Sequence, residues 1–101
     1  MFLRVLITTR TRDEALALGR ALVEARLAAS AQVRPLDTVY RWQGAVQAHE
    51  EAELALLSTE ARWPALVAAV KARHTYTLPQ ILSQPVEGTP ELLAWIAECT
   101  R

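Results

Sequence analysis

Apolar residues in this chain change their spacing in a fixed succession, and few folds accommodate the order in which they do so. Phe2, Leu3, Val5, Leu6 and Ile7 form a β-rich run that stops at Thr8-Thr9, which predicts a strand covered on at least one face. Thr11 and Glu14 then stand at the spacing of a capping box. Ala15, Leu18, Leu22 and Ala25 follow at helical intervals, so a helix is predicted over about 12–28 with its stripe against a sheet. From about 29 to 42 the chain reads as extended. Pro35 has no N–H to donate, so this strand needs a bulge or an edge there, while Val39-Tyr40-Arg41-Trp42 is strongly β-prone. Gln43-Gly44 supplies a tight turn, and residues 46–59 return as the second arm of a long hairpin.

A second helix is predicted from near Pro64, a residue suited to a first turn, with Leu66, Val67 and Val70 on one face and its end around Arg73-His74. Leu78 to Val86 reads as a fourth strand. Thr89-Pro90-Glu91 then combines an N-cap, a first-turn proline and an early acid, and Leu92, Trp95, Ile96 and Cys99 recur at helical spacing after it. The order strand, helix, strand, strand, helix, strand plus a short terminal helix is that of an α+β, ferredoxin-like split βαβ (βαββαβ) sandwich. With 101 residues, 51% of them hydrophobic, the expectation is one domain over 1–101 with one core, in which Trp63 and Trp95 serve as core or interface anchors. Helices on one face of such a sheet leave the other face bare, and self-association is the simplest way to cover it.

Charge and motifs narrow the function classes. Eleven basic residues balance eleven acidic ones, so the formal net charge is zero and neither nucleic acid nor an anionic membrane is an expected partner. The single cysteine, Cys99, cannot close an internal disulfide. Neither a charged-then-apolar leader nor an apolar run of about 18 residues is present, so the expected location is the cytoplasm. A glycine-rich phosphate loop, a G-x-S-x-G elbow, an H-E-x-x-H pair and paired cysteines are all missing. Thr8 and Ser30 are hydroxyls with no evident base to activate them. A non-enzyme is expected.

The stretch His74-Thr75-Tyr76-Thr77-Leu78-Pro79-Gln80-Ile81-Leu82 is where an imidazole and a phenol fall together at a helix-to-strand junction. His74 has three readings: a donor to the last free carbonyls of the preceding helix, a ligand or pocket residue at a subunit junction, or a catalytic group. Tyr76 either closes a pocket with His74 or packs with its hydroxyl satisfied. Glu50, Glu51 and Glu53 read as a solvated face, because an oxygen site for a hard cation needs more ligands than one strand can aim at one point. His49 reads as a solvated strand residue, and Cys99 as a buried, inert thiol.

The chain resembles the CutA divalent-cation-tolerance family over nearly its whole length. The resemblance rests on Leu27-Ala28-Ala29, Tyr40-Arg41-Trp42-Gln43-Gly44, Glu51 nine residues after the tryptophan, His74-Thr75-Tyr76-Thr77-Leu78-Pro79-Gln80-Ile81, and Trp95. It implies a cytosolic homotrimer engaged in metal tolerance, in which the long hairpin wraps neighbouring subunits and extends their sheets, placing Tyr40 and Trp42 at the subunit interface. Departures bear on the metal. Ser30 stands where the family usually has cysteine, Ile7 where some members have another, Leu57 replaces a lysine, Thr75 a proline, and Gln80 a glutamate. Thiolates suit copper(I), whereas imidazole and carboxylate suit copper(II), so the resemblance leaves copper(II) or another divalent cation, weakly held by His74 with Glu51. The alternative is a trimeric scaffold or signalling module, analogous in architecture to the PII regulators, binding a small metabolite or partner protein in subunit clefts near Tyr76.

Overall fold

The computed structural model describes all 101 residues. Its elements are β1 (Phe2–Thr9), α1 (Arg12–Glu24), β2 (Ser30–Trp42), β3 (Ala45–Thr59), a 3-10 turn (Glu60–Arg62), α2 (Trp63–Arg73), β4 (Ile81–Pro85) and α3 (Pro90–Cys99). The four strands form one antiparallel sheet in the order β2-β3-β1-β4, the ferredoxin-like arrangement that the element order predicts.

Alternation along the strands decides which face is core. Leu3, Val5 and Ile7 of β1 and Ala52, Leu54 and Leu56 of β3 point to one side, where they are buried with Ala15, Leu18 and Leu22 of α1 and Leu66 and Val70 of α2. Gly19 lets α1 come unusually close to the sheet: a Cβ there would lie 2.8 Å from the Ala31 Cβ and 3.0 Å from Leu54 Cδ1. The helix begins as the Thr11 spacing predicts, with the Thr11 hydroxyl accepting from Glu14 N–H at 3.1 Å. The return bond of the box is made one residue earlier, from Arg10 N–H to Glu14 Oε2 at 3.3 Å.

The hairpin turn is also as predicted. Gln43 (φ 49°) and Gly44 (φ 80°) both have positive φ, the requirement of a two-residue type I′ turn, and the strands pair without a break from Trp42–Ala45 to Ser30–Leu57. Pro35 lies in an edge strand and needs no bulge. Because β1 covers β3 only from Ala52 onward, the part of the hairpin beyond Leu36–Glu51 projects as a two-stranded arm. The molecule is accordingly elongated, 44 × 24 × 21 Å.

Several boundaries and packing roles differ from the sequence expectation. α1 ends at Glu24 rather than near residue 28, because Arg26 turns the backbone into the left-handed region (φ 61°). Arg26 is held there by its own side chain, which donates to the carbonyls of Glu98 (2.6 Å) and Arg101 (2.9 Å) and so ties the end of α3 to the end of α1. Arg62 Nε donates to the Thr100 carbonyl beside them. β4 starts at Ile81 rather than Leu78, since residues 74–80 are used in crossing the end of β1. α3 packs mainly against β3, and its Ile96 is fully buried but outside the cluster beneath α1 and α2. Trp63 packs against that cluster, whereas Trp95 is 45% exposed and is no core anchor in this chain. Cys99 is half-buried rather than buried, because the last helix turns only Ile96 fully inward.

Gly19→Ala is expected to lower stability by about 1–3 kcal/mol, the usual range for forcing a methyl group into a filled core. Chemical denaturation compared with wild type checks this, and an unchanged midpoint would show that the contact between helix and sheet is looser than described.

Candidate functional site

Residues 74–80 form the junction where the candidate side chains meet. Ile7–Ile81 is the last pair between β1 and β4, so the next carbonyl on that edge of β1, that of Thr8, has no strand partner there. His74 takes it. The Nε2 atom lies 2.7 Å from Thr8 O and therefore carries the proton, which makes Nδ1 the acceptor for Tyr76 N–H at 3.1 Å. The ring is thus a neutral Nε2–H imidazole with both nitrogens engaged. The first reading of His74, capping of helix α2, is not what its side chain does: its bonds go to β1 and to the crossing segment.

Tyr76 extends from that segment to β3. Its hydroxyl donates to Glu51 Oε2 at 2.6 Å, its ring lies 4.9 Å from the His74 ring, and the Arg10 guanidinium sits 5.8 Å from its centroid. Burial, then the hydrogen bond and negative charge of Glu51, push the phenol well above its ordinary value of 10.0, while Arg10 pulls it the other way. The structure therefore brings three of the sequence candidates, His74, Tyr76 and Glu51, into one chain of contacts, with Tyr76 between the other two.

Tyr40 and Trp42 lie nearby on the projecting arm, 39% and 38% exposed. Together with Arg10, Glu51 and Tyr76 they line an open groove of about 420 Å³. His49 is exposed as expected, its ring 5.7 Å from that of Tyr40. The three glutamates do not behave alike. Glu50 is exposed and Glu51 half-buried, but Glu53 is buried and paired with Arg34, Nη2 to Oε1 at 2.8 Å, which corrects the reading of the group as a solvated face. Counting the register outward from the Gln43-Gly44 turn pairs Arg34 with Glu53, so that contact was available in the sequence. Arg10 was missed, because nothing local shows that residue 76 will cross over it.

No group of three or more histidine, cysteine, aspartate or glutamate side chains converges on one point. His74 could contribute to holding a cation only by giving up a bond it already makes, whereas Glu51 keeps one carboxylate oxygen free. No helix is long and apolar enough to cross a membrane.

Comparison with known proteins agrees along the whole chain. A family model described as the CutA1 divalent ion tolerance protein matches residues 3–99. The chain is 43% identical over 98 residues to the divalent-cation tolerance protein CutA of Thermus thermophilus, covering 95% of each. It is 29% identical over 99 residues to a chloroplastic CutA of Arabidopsis thaliana, of which it spans 54%. Among solved structures, the Thermus thermophilus protein superposes with a TM-score of 0.96 at 42% identity, and a CutA from Archaeoglobus fulgidus, described as periplasmic, with 0.97 at 29%; both matches cover all of each chain.

The raised phenol gives a pH dependence of definite sign. Tyr76 holds its proton more tightly folded than unfolded, so its contribution is complete below pH 10 and is lost as pH rises beyond the ordinary value of 10.0. Melting temperatures followed from pH 8 upward should fall more steeply above pH 10 in wild type than in Tyr76→Phe. Parallel curves would show that this phenol does not couple to folding.

Proposed function

The chain belongs to the CutA1 divalent ion tolerance family, and on that footing we propose that it contributes to divalent-cation tolerance in the cytoplasm as a homotrimer, binding copper(II) or a similar divalent cation weakly and catalysing no reaction. The observation behind weak binding is the hydrogen bonding of His74. Coordination needs a free nitrogen lone pair, yet Nδ1 already accepts from Tyr76 N–H and Nε2 donates to Thr8. Glu51 is engaged by the Tyr76 hydroxyl through one of its two oxygens. Within one chain these residues do not fit a resident metal ion as they stand. A cation at His74 and Glu51 displaces Tyr76 first, and the cost of breaking those bonds lowers its affinity. Cys99 is the only thiol, and it lies half-buried at the end of α3.

Self-association is supported by the arm. A two-stranded hairpin is marginal by itself in water, and this one exposes Val39 (72%) and Val46 (63%) beside Tyr40 and Trp42. Other copies of the chain, pairing with its free β2 edge and covering those side chains, account for an apolar arm on a chain of zero net charge.

Calorimetric titration of the metal-free protein with copper(II) should give a saturable isotherm with a dissociation constant of about 100 μM or weaker, near −5.5 kcal/mol. His74→Ala abolishes it, whereas Tyr76→Phe, which frees Glu51, tightens it. An isotherm unchanged in His74→Ala refutes the site. Light scattering should report three copies of the 11.2 kDa chain, with Trp42→Ala shifted toward smaller species; a stable single copy in dilute solution refutes the trimer.

A further inference from the structure

We propose that α3 is a hinged strap that opens as a unit while the rest of the chain stays folded, with the Arg26 and Arg62 guanidinium groups as its catch. Arg26 follows the C-cap of α1 at φ 61°, a left-handed conformation for which glycine is the usual residue. An arginine there has its use in the side chain. Its Nη2 donates to the Glu98 carbonyl at 2.6 Å and its Nε to the Arg101 carbonyl at 2.9 Å, while Nε of Arg62, on the 3-10 turn, donates to the Thr100 carbonyl. Carbonyls at a helix C-terminus have no partner within the helix and form the negative end of its dipole, so two cations converge where α3 attracts them. Neither has a carboxylate partner; the three ion pairs of the chain are Arg20–Glu24, Arg34–Glu53 and Glu98–Arg101.

The rest of the attachment is slight. Ile96 is the only buried residue of α3, and it lies outside the cluster beneath α1 and α2, so lifting it leaves that core intact. Val86 N–H bonds to the Phe2 carbonyl at 3.1 Å, whereas the next bonds along the chain, from the Leu92 and Leu93 N–H groups to Thr89, are internal to the cap of α3. Glu87 and Gly88, both exposed, lie between these two fixed points and form the hinge. Opening therefore breaks three hydrogen bonds and exposes one buried side chain, while unfolding the sheet exposes the whole cluster. The Arg26 bonds are solvent-exposed, which leaves them open to screening by salt. Leu92, Trp95 and Ile96 come away together, baring the seat of Ile96. The strap lies within one chain and depends on neither the cation nor the subunit reading.

Hydrogen exchange of the full chain, read amide by amide, tests this. The α3 amides should exchange about tenfold or more faster than those of β1, and with a weaker dependence on added denaturant, because the opening exposes less surface than unfolding does. Ile7→Val, a small cut in the core, should speed exchange in β1 and leave α3 unchanged, since that core is the same whether the strap is closed or open. Arg62→Gln should speed α3. Arg26→Gly, which eases the backbone in the closed and the opened chain alike, should speed α3 by about tenfold and β1 by less. Sodium chloride at about 0.5 M should speed α3 in wild type. Three results would overturn the proposal: Ile7→Val speeding α3 as much as β1, α3 exchange unchanged in both arginine variants, or α3 exchange indifferent to salt.

Discussion

The pairing of β2 with β3 is the constraint from which the rest of the molecule follows. Thirteen consecutive pairs, from Ser30–Leu57 to Trp42–Ala45, are held in register by a turn of two residues with positive φ. Side chains alternate across a strand, so a slip of one residue would send Leu54 and Leu56 to the open face and Glu53 into the core. The same register puts Arg34 opposite Glu53, satisfying the buried carboxylate, and carries Leu36, Tyr40 and Trp42 on the face shared with Glu51. Core, ion pair and groove wall are three results of one alignment.

The second determinant is the crossing of residues 74–80. A strand edge that runs past its partner leaves backbone groups to be satisfied, and here an imidazole does so for Thr8. That use of Nε2 fixes the tautomer, the tautomer fixes the direction of Tyr76 N–H, and the tyrosine then reaches Glu51. The side chains that make the junction look like a metal site in the sequence are thus already committed to one another. Their commitment leaves little free coordination capacity for a metal within one chain.

What could be read from the sequence was whatever depends on neighbours along the chain. The type I′ turn at Gln43-Gly44, the caps at Thr11 and Thr89, the start near Pro64 and the edge position of Pro35 each follow from local backbone chemistry. The early end of α1 did not show, because Arg26 is kept in a left-handed conformation by carbonyls more than seventy positions away. β4 looked three residues too long at its start since Leu78 and Pro79 resemble strand run-in, though Leu78 is 71% exposed in the crossing. The contact of Tyr76 with Glu51 joins residues 25 apart across the 3-10 turn and α2, and no periodicity encodes it.

The topology also orders the folding events. β2 and β3 are joined by two residues, so their ladder closes with little loss of chain entropy, while β1 and β4 must be brought together across more than seventy residues of intervening chain. The central hairpin can therefore form early, and the short outer strand that anchors the crossing carries the larger closure penalty. One wall of the groove belongs to the local contact and the other to the distant one, so the groove is complete only once the pairing with the larger closure penalty has been made.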